Sequence, residues 1–219
     1  MFERNCNRSA WFGCALAIAV VATPAVMAQQ SIDVEISNIS GDIDAPRRHT
    51  RIKQSEDLDQ DEAARVYQLV KGALARGYGS ADTPLIDRYQ QLKKFNTMPY
   101  RSASHGNHYL NNYANETAEI YGRYEKAGVF PAGSILFKDS FTVAANQEIV
   151  LGPMFIMEKM EPGFNPVSAD WKYTQVQPTG QILGETNGEN SDKVTYCISC
   201  HLAREDMDHL FFVPEEVRE

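Results

Sequence analysis

The sequence is poor in several things. Four cysteines in 219 residues are too few for a scaffold held by disulfides. No stretch of ~20 apolar residues occurs, the length a bilayer-spanning helix needs. Positive charge is in deficit: 21 Lys and Arg face 29 Asp and Glu, for a net charge of −8. Nucleic acids and anionic membranes are bound by clustered Lys and Arg, so the deficit argues against either as the main partner. No internal repeat or low-complexity run is visible. With 43% hydrophobic and 23% charged residues, the composition excludes wholesale disorder, a collagen-like chain and a multi-span membrane protein.

Residues 1–28 read as an export signal. Arg4 and Arg8 form a positive start, an apolar run follows from Trp11 to Val21, and Ala25-Val26-Met27-Ala28 offers small residues for cleavage after Ala28. The alternative is an uncleaved anchor, for which the apolar core is short. Cleavage removes Cys6 and Cys14, together with Arg4, Arg8 and Glu3. The mature chain then has two cysteines, 19 basic and 28 acidic residues. A chain of this size buries roughly 70% of its unfolded surface and needs no staple to fold. The two remaining cysteines are available for another purpose.

The mature chain divides by texture. Residues 29–57 are polar and weakly patterned, a flexible leader. Residues 58–99 read as a helical extension. A first helix is expected over 58–76, with Ala63, Val66, Tyr67, Val70 and Leu74 at helical spacing and Gly77 as its stop. A second is expected over 82–95, with Pro84 in its first turn. Residues 96–108 look irregular, and 113–126 reads as a third helix. From Pro131 the texture changes. Residues 133–143 alternate, with Ile135, Phe137, Phe141 and Val143 on one face and Leu136, Lys138, Ser140 and Thr142 on the other. Residues 152–160 and 170–177 are further strands, and Pro178-Thr179-Gly180 turns the last back into 181–183. Helix returns over 191–203, with Ser191 as its N-cap. The fold class is α+β: an antiparallel sheet with flanking helices and a C-terminal helix.

That last helix carries the chemistry. Cys197-Ile198-Ser199-Cys200-His201 is C-x-x-C-H. Two thiols three residues apart on one helical turn can each add to a vinyl group of the same haem. The adjacent His then lies beneath the porphyrin and binds iron. Two other readings compete. A redox C-x-x-C needs a βαβ setting that the surroundings lack, and a zinc site needs two more ligands, with only His209 nearby. One covalently attached haem c, with Cys197 and Cys200 as attachment points and His201 as the metal ligand, is the expectation. The export signal is consistent with a periplasmic location, where such attachment occurs. Met207, the only downstream Met, is too close to His201 to reach the opposite haem face. A sixth ligand must come from upstream or be absent.

The C-terminal part resembles the cytochrome P-460 family of periplasmic haem c proteins. The residues that carry the resemblance are Gly133-Ser134-Ile135-Leu136-Phe137-Lys138-Asp139-Ser140-Phe141, Asp170-Trp171-Lys172-Tyr173, Cys197–His201 and Asp208-His209-Leu210-Phe211-Phe212. They place a haem domain over residues 100–219. The resemblance implies a lysine, here Lys138, that can bond to a haem meso carbon. From pattern alone, a Lys on this strand is more often solvated. Related members lacking the lysine are five-coordinate gas-binding cytochromes. Family members often have an H-G-x start before a distal arginine. Here His105-Gly106-Asn107-His108 stands at that place, and the arginine position holds His108 or Tyr109. His108 is the distal catalytic candidate; both histidines can equally be hydrogen-bonded loop residues.

The remaining candidates are weaker. Asp139 and Glu158 are possible general bases, with surface carboxylates the preferred reading of each. Trp171, Phe211 and Phe212 are expected to line the haem pocket, and His209 to pack near its edge. The resemblance implies oxidation of small nitrogen species such as hydroxylamine, with nitric oxide as a related ligand. It also implies electron transfer to an accepting cytochrome. A basic acceptor suits the acidic surface. The alternatives are a non-catalytic five-coordinate nitric oxide binder and an electron-transfer cytochrome with His105 or His108 as sixth ligand. A homodimer is expected by analogy with family members.

Overall fold

A computed structural model describes residues 57–81 and 83–219. The expected signal peptide and almost all of the leader lie outside the described residues. The first helix, α1, spans Gln60–Tyr78. Asp59 caps it: its side chain accepts from the Glu62 amide at 2.8 Å, and the Glu62 carboxylate accepts from the Asp59 amide at 3.0 Å. Ala63, Tyr67, Val70, Leu74 and Tyr78 form its buried stripe. Each large apolar side chain buried in this way contributes roughly 1.5–3 kcal/mol. Gly77 is not the stop expected from the sequence. It lies inside the helix, where a Cβ would sit 2.0 Å from the Pro178 carbonyl oxygen, so glycine here permits close approach to the strand turn.

Eight strands follow: β1 (Lys93–Lys94), β2 (Tyr100–Ser102), β3 (His108–Ala114), β4 (Ile135–Val143), β5 (Ile149–Leu151), β6 (Met154–Lys159), β7 (Trp171–Val176) and β8 (Ile182–Glu185). They make one antiparallel sheet in the order β1-β3-β4-β6-β7-β8, with β2 also paired to β3 and β5 to β4. A short helix, α2 (Thr195–His201), comes near the C-terminus. The α+β class is therefore as read. The alternation on β4 holds too. Phe137 and Phe141 pack into one core with α1. Leu136 joins a second core on the other face, with Met157, Trp171, Tyr173 and residues after α2.

Three expected helical segments differ. Residues 83–95 hold turns, a single 3-10 turn at Tyr89–Gln91 and then β1. Ile86 and Tyr89 are buried under α1, and Lys93 and Lys94 pair with Ala114 and Tyr113. Residues 96–108 are less irregular than expected, since β2 lies within them. Tyr113 and Ala114 close β3 instead of opening a helix, because β4 offers them a partner far along the chain. Residues Glu116–Lys126 that follow are 3-10, broken at Ala118 and Tyr124. At the C-terminal end, Asn190 and not Ser191 occupies the N-cap position, without a side-chain cap bond.

A candidate haem site on one face of the sheet

A cavity opens on the sheet face opposite α1, with about 630 Å³ of empty space, part of it open to solvent. Cys197, Cys200 and His201 enter it from α2, and Leu136 and Lys138 from β4. The register explains the opposing wall: Leu136 pairs with Met157 and Lys138 with Phe155, and Met157 in turn with Tyr173. All of these side chains line the cavity.

The His201 ring is buried against Tyr173 and Phe211. Its Nδ1 lies 2.6 Å from the backbone oxygen of His209. A carbonyl can only accept, so Nδ1 carries the proton and the lone pair is on Nε2, the tautomer a metal ligand needs. The carbonyl is aimed by an unusual turn. Asp208 and His209 both have left-handed backbone, at φ 51° and 64°. Asp208 is pinned there from three sides. Its carboxylate accepts from Lys159 Nζ at 2.6 Å and from the Phe130 amide at 2.9 Å, and its carbonyl accepts from Trp171 Nε1 at 2.8 Å. Trp171 is thus a positioning residue, 0% exposed and off the cavity wall.

Lys138 is 7% exposed, not solvated. No hydrogen bond or ion pair holds its amine among the described residues, and burial pulls its pKa down to about 8. Burial also pushes the Cys197 thiol up to about 12. Cys197 and Cys200 are not joined in a disulfide, and Cys200 is exposed.

Other expectations need correction. His108 is not on the cavity wall. Ser140 Oγ donates to the Pro153 carbonyl at 2.6 Å, which leaves it to accept from His108 Nδ1 at 3.2 Å. Gly152 makes room for that pair, since a Cβ there would meet both side chains. His105 lines the cavity instead, its ring 4.8 Å from that of Phe155 and its Nδ1 2.9 Å from Ser102 Oγ. Phe211 lines the cavity, whereas Phe212 packs on Tyr121. Asp139 is not a surface carboxylate: it is fully buried on the α1 face. Glu158 is half-buried and points away from the cavity, since Met157 and Lys159 take the cavity face. The sequence reading missed Tyr173 and the Lys159–Asp208 pair. Tyr173, two residues after Trp171 on a strand, was within reach of the alternation rule. The Lys159–Asp208 pair had no local signal.

The model of the Cytochrome P460 family matches residues 86–212, more than half of the chain. The chain belongs to the cytochrome P460 family. The match starts after α1 but takes in β1 and β2. No curated protein matches the chain. Family membership implies a haem cofactor, and the P460 cavity fits one. The Tyr173 hydroxyl, buried on its wall, has no hydrogen-bond partner among the described residues. A porphyrin has an apolar face that suits the Leu136, Phe155, Met157 and Phe211 side chains of this wall. His201 can present Nε2 to iron, and Cys197 and Cys200 lie one helical turn apart beside it. No helix among the described residues is long and apolar enough to cross a membrane.

Proposed function

We propose that this P460 chain is an exported c-type cytochrome that oxidises small nitrogen compounds, hydroxylamine foremost, and passes the electrons to an acceptor. The observation that carries the reading is one cavity containing Cys197, Cys200, His201 and a buried Lys138 amine. Cys197 and Cys200 would hold one haem through thioether bonds. His201, its ring oriented by the His209 carbonyl, would offer Nε2 to the iron. When bound, the haem supplies the iron that takes electrons from the substrate. Lys138, depressed towards 8, presents a neutral amine more readily than a solvated lysine, and a neutral amine is the nucleophile a bond to the porphyrin edge requires. His105 takes over from His108 as the group on the wall that can hold a substrate proton. Leu136, Phe155, Met157 and Phe211 exclude water and favour a small, weakly charged reactant. The same apolar walls favour the second reading, a binder of nitric oxide without turnover.

Three measurements decide. One haem should survive acid–acetone extraction of the mature protein, and its loss would end the c-type reading. Lys138→Ala and Lys138→Arg should keep both thioethers, lose the red-shifted ferrous band of a cross-linked haem and lose hydroxylamine oxidation. Arginine does not rescue, because guanidinium stays protonated. A Lys138 peptide that runs free of the haem peptide in a tryptic digest would leave the nitric oxide binder as the better reading.

A further inference from the structure

The opposite face of the sheet carries a polar cluster that the haem chemistry does not use. Asp139 follows Lys138 on β4 and is 0% exposed. Its Oδ2 accepts from the Tyr67 hydroxyl at 2.8 Å and the Tyr89 hydroxyl at 3.0 Å, and its Oδ1 from Asn111 Nδ2 at 3.0 Å. Tyr67 has one proton and gives it to Asp139, so at the 2.5 Å contact between phenols it accepts from Tyr113. The Tyr89 and Tyr113 rings lie 5.4 Å apart. Tyr67 comes from α1, outside the residues that match the family.

Packing alone does not account for this arrangement. Burying a carboxylate costs stability that an apolar residue of similar size avoids. Burial raises Asp139 to about 6, which leaves it ionised at neutral pH and more basic than a solvated carboxylate. Burial and the Asp139 charge push the Tyr67 and Tyr89 phenols far above their ordinary range, so both keep their protons. A phenol gives up an electron at moderate potential only if its proton leaves too. Here a base stands at hydrogen-bond distance from two phenols and is linked to the third. The cluster also reaches the haem side. A small cavity has Leu136, Lys138, Met157 and Phe211 in common with the main one, and Tyr113 is on its wall together with Asn112, Tyr121, Phe137 and Leu210.

We propose that Tyr67, Tyr89 and Tyr113 around Asp139 form a redox site that takes up oxidising equivalents from the haem cavity as tyrosyl radicals when the protein meets hydrogen peroxide. The inference rests on the haem reading above. Peroxide accepts two electrons and two protons, its O–O bond breaks, and it leaves as two waters. Two phenols each lose one electron and one proton, their O–H bonds breaking to give two phenoxyl radicals. Asp139 receives the two departing protons one after the other and passes each to water, which returns two protons to the peroxide. The site protects the porphyrin by spending the oxidant on replaceable electrons. The stacked rings of Tyr67, Phe141 and Tyr109 continue towards Leu58, where external reductants can refill it.

The test uses the haem-loaded protein, its haem content measured first. Freezing it after mixing with hydrogen peroxide should trap a tyrosyl signal in electron paramagnetic resonance. The signal should narrow when ring-deuterated tyrosine is incorporated. A nitroso spin trap followed by peptide mass spectrometry should place adducts on Tyr67, Tyr89 or Tyr113. The Tyr67→Phe, Tyr89→Phe, Tyr113→Phe triple variant should lose the signal and bleach its haem faster. Should the triple variant not fold, labelling and trapping in the wild type decide the question by themselves. A haem-loaded protein with no tyrosyl signal, or with adducts only on Tyr173 and Tyr196, overturns the proposal. A protein that holds no haem fails at the first measurement, and the haem reading fails with it.

Discussion

Asp139 and Lys138 are neighbours in sequence and opposite in consequence. Asp139 has a folded pKa of about 6 against an ordinary value of 3.8, so the folded state holds its proton over that interval and the unfolded state does not. Its contribution to stability is present below about pH 4 and lost as pH rises through 6, by up to about 3 kcal/mol. Asp139→Asn should flatten that part of the pH–stability curve, which denaturant melts at a series of pH values would show. Lys138 runs the other way. Its pKa is depressed from 10.5 to about 8, so the unfolded state binds more protons between those values and stability rises with pH there. Asp208 is a third sensitive residue. Asp208→Ala leaves the Lys159 ammonium buried without its partner, at a cost of about 3–5 kcal/mol. It also releases the turn that aims the His209 carbonyl. The expected result is a lower melting temperature together with a changed ferric spectrum, because the His201 ring loses its orienting bond. A stability loss with an unchanged spectrum would refute the positioning role.

Among the elements, α1 is the one that the family match does not include. It closes the face of the sheet remote from the haem cavity. Gly77 sets how closely it approaches the turn between β7 and β8. Gly77→Ala places a methyl group against the Pro178 backbone, which cannot swing aside as a flexible side chain would. A cost of about 1–3 kcal/mol follows, or roughly 2–4 °C in melting temperature per kcal/mol. The haem spectrum should not move, because α1 and α2 are on opposite faces of the sheet. A spectral change in Gly77→Ala would mean that the two faces are coupled more tightly than the sheet implies.

For the whole molecule, charge is the property that acts at a distance. With 28 acidic and 19 basic residues after the expected cleavage, the net charge would favour encounter with a basic partner over an acidic one. If the acceptor is a basic cytochrome, the second-order rate of its reduction should fall as ionic strength rises. At 0.1 M salt the Debye length is already ~10 Å. A rate indifferent to salt would point to a neutral or acidic acceptor.

Local pattern was enough to read some of this protein. C-x-x-C-H needs only spacing on one helical turn. The β4 alternation needs only the two-residue period of a strand, and it separated Lys138 from Phe137 and Phe141 correctly. The first helix was legible from Ala63 to Leu74 for the same reason. Other features depend on partners distant in sequence. Tyr113 has helical neighbours at the right spacing, yet pairing with Phe137 on β4 made it a strand residue. His105 and His108 are equivalent in the sequence; the β2–β3 connection put one against Phe155 in the cavity and bonded the other to Ser140. Asp139 looks like any strand carboxylate until Tyr67 and Tyr89, 72 and 50 residues away, close over it. Hydrogen-bond and burial partners of this kind are set by sheet register and helix docking. No window of sequence contains them, which is why only the tertiary structure decided which polar residues are buried and what holds them.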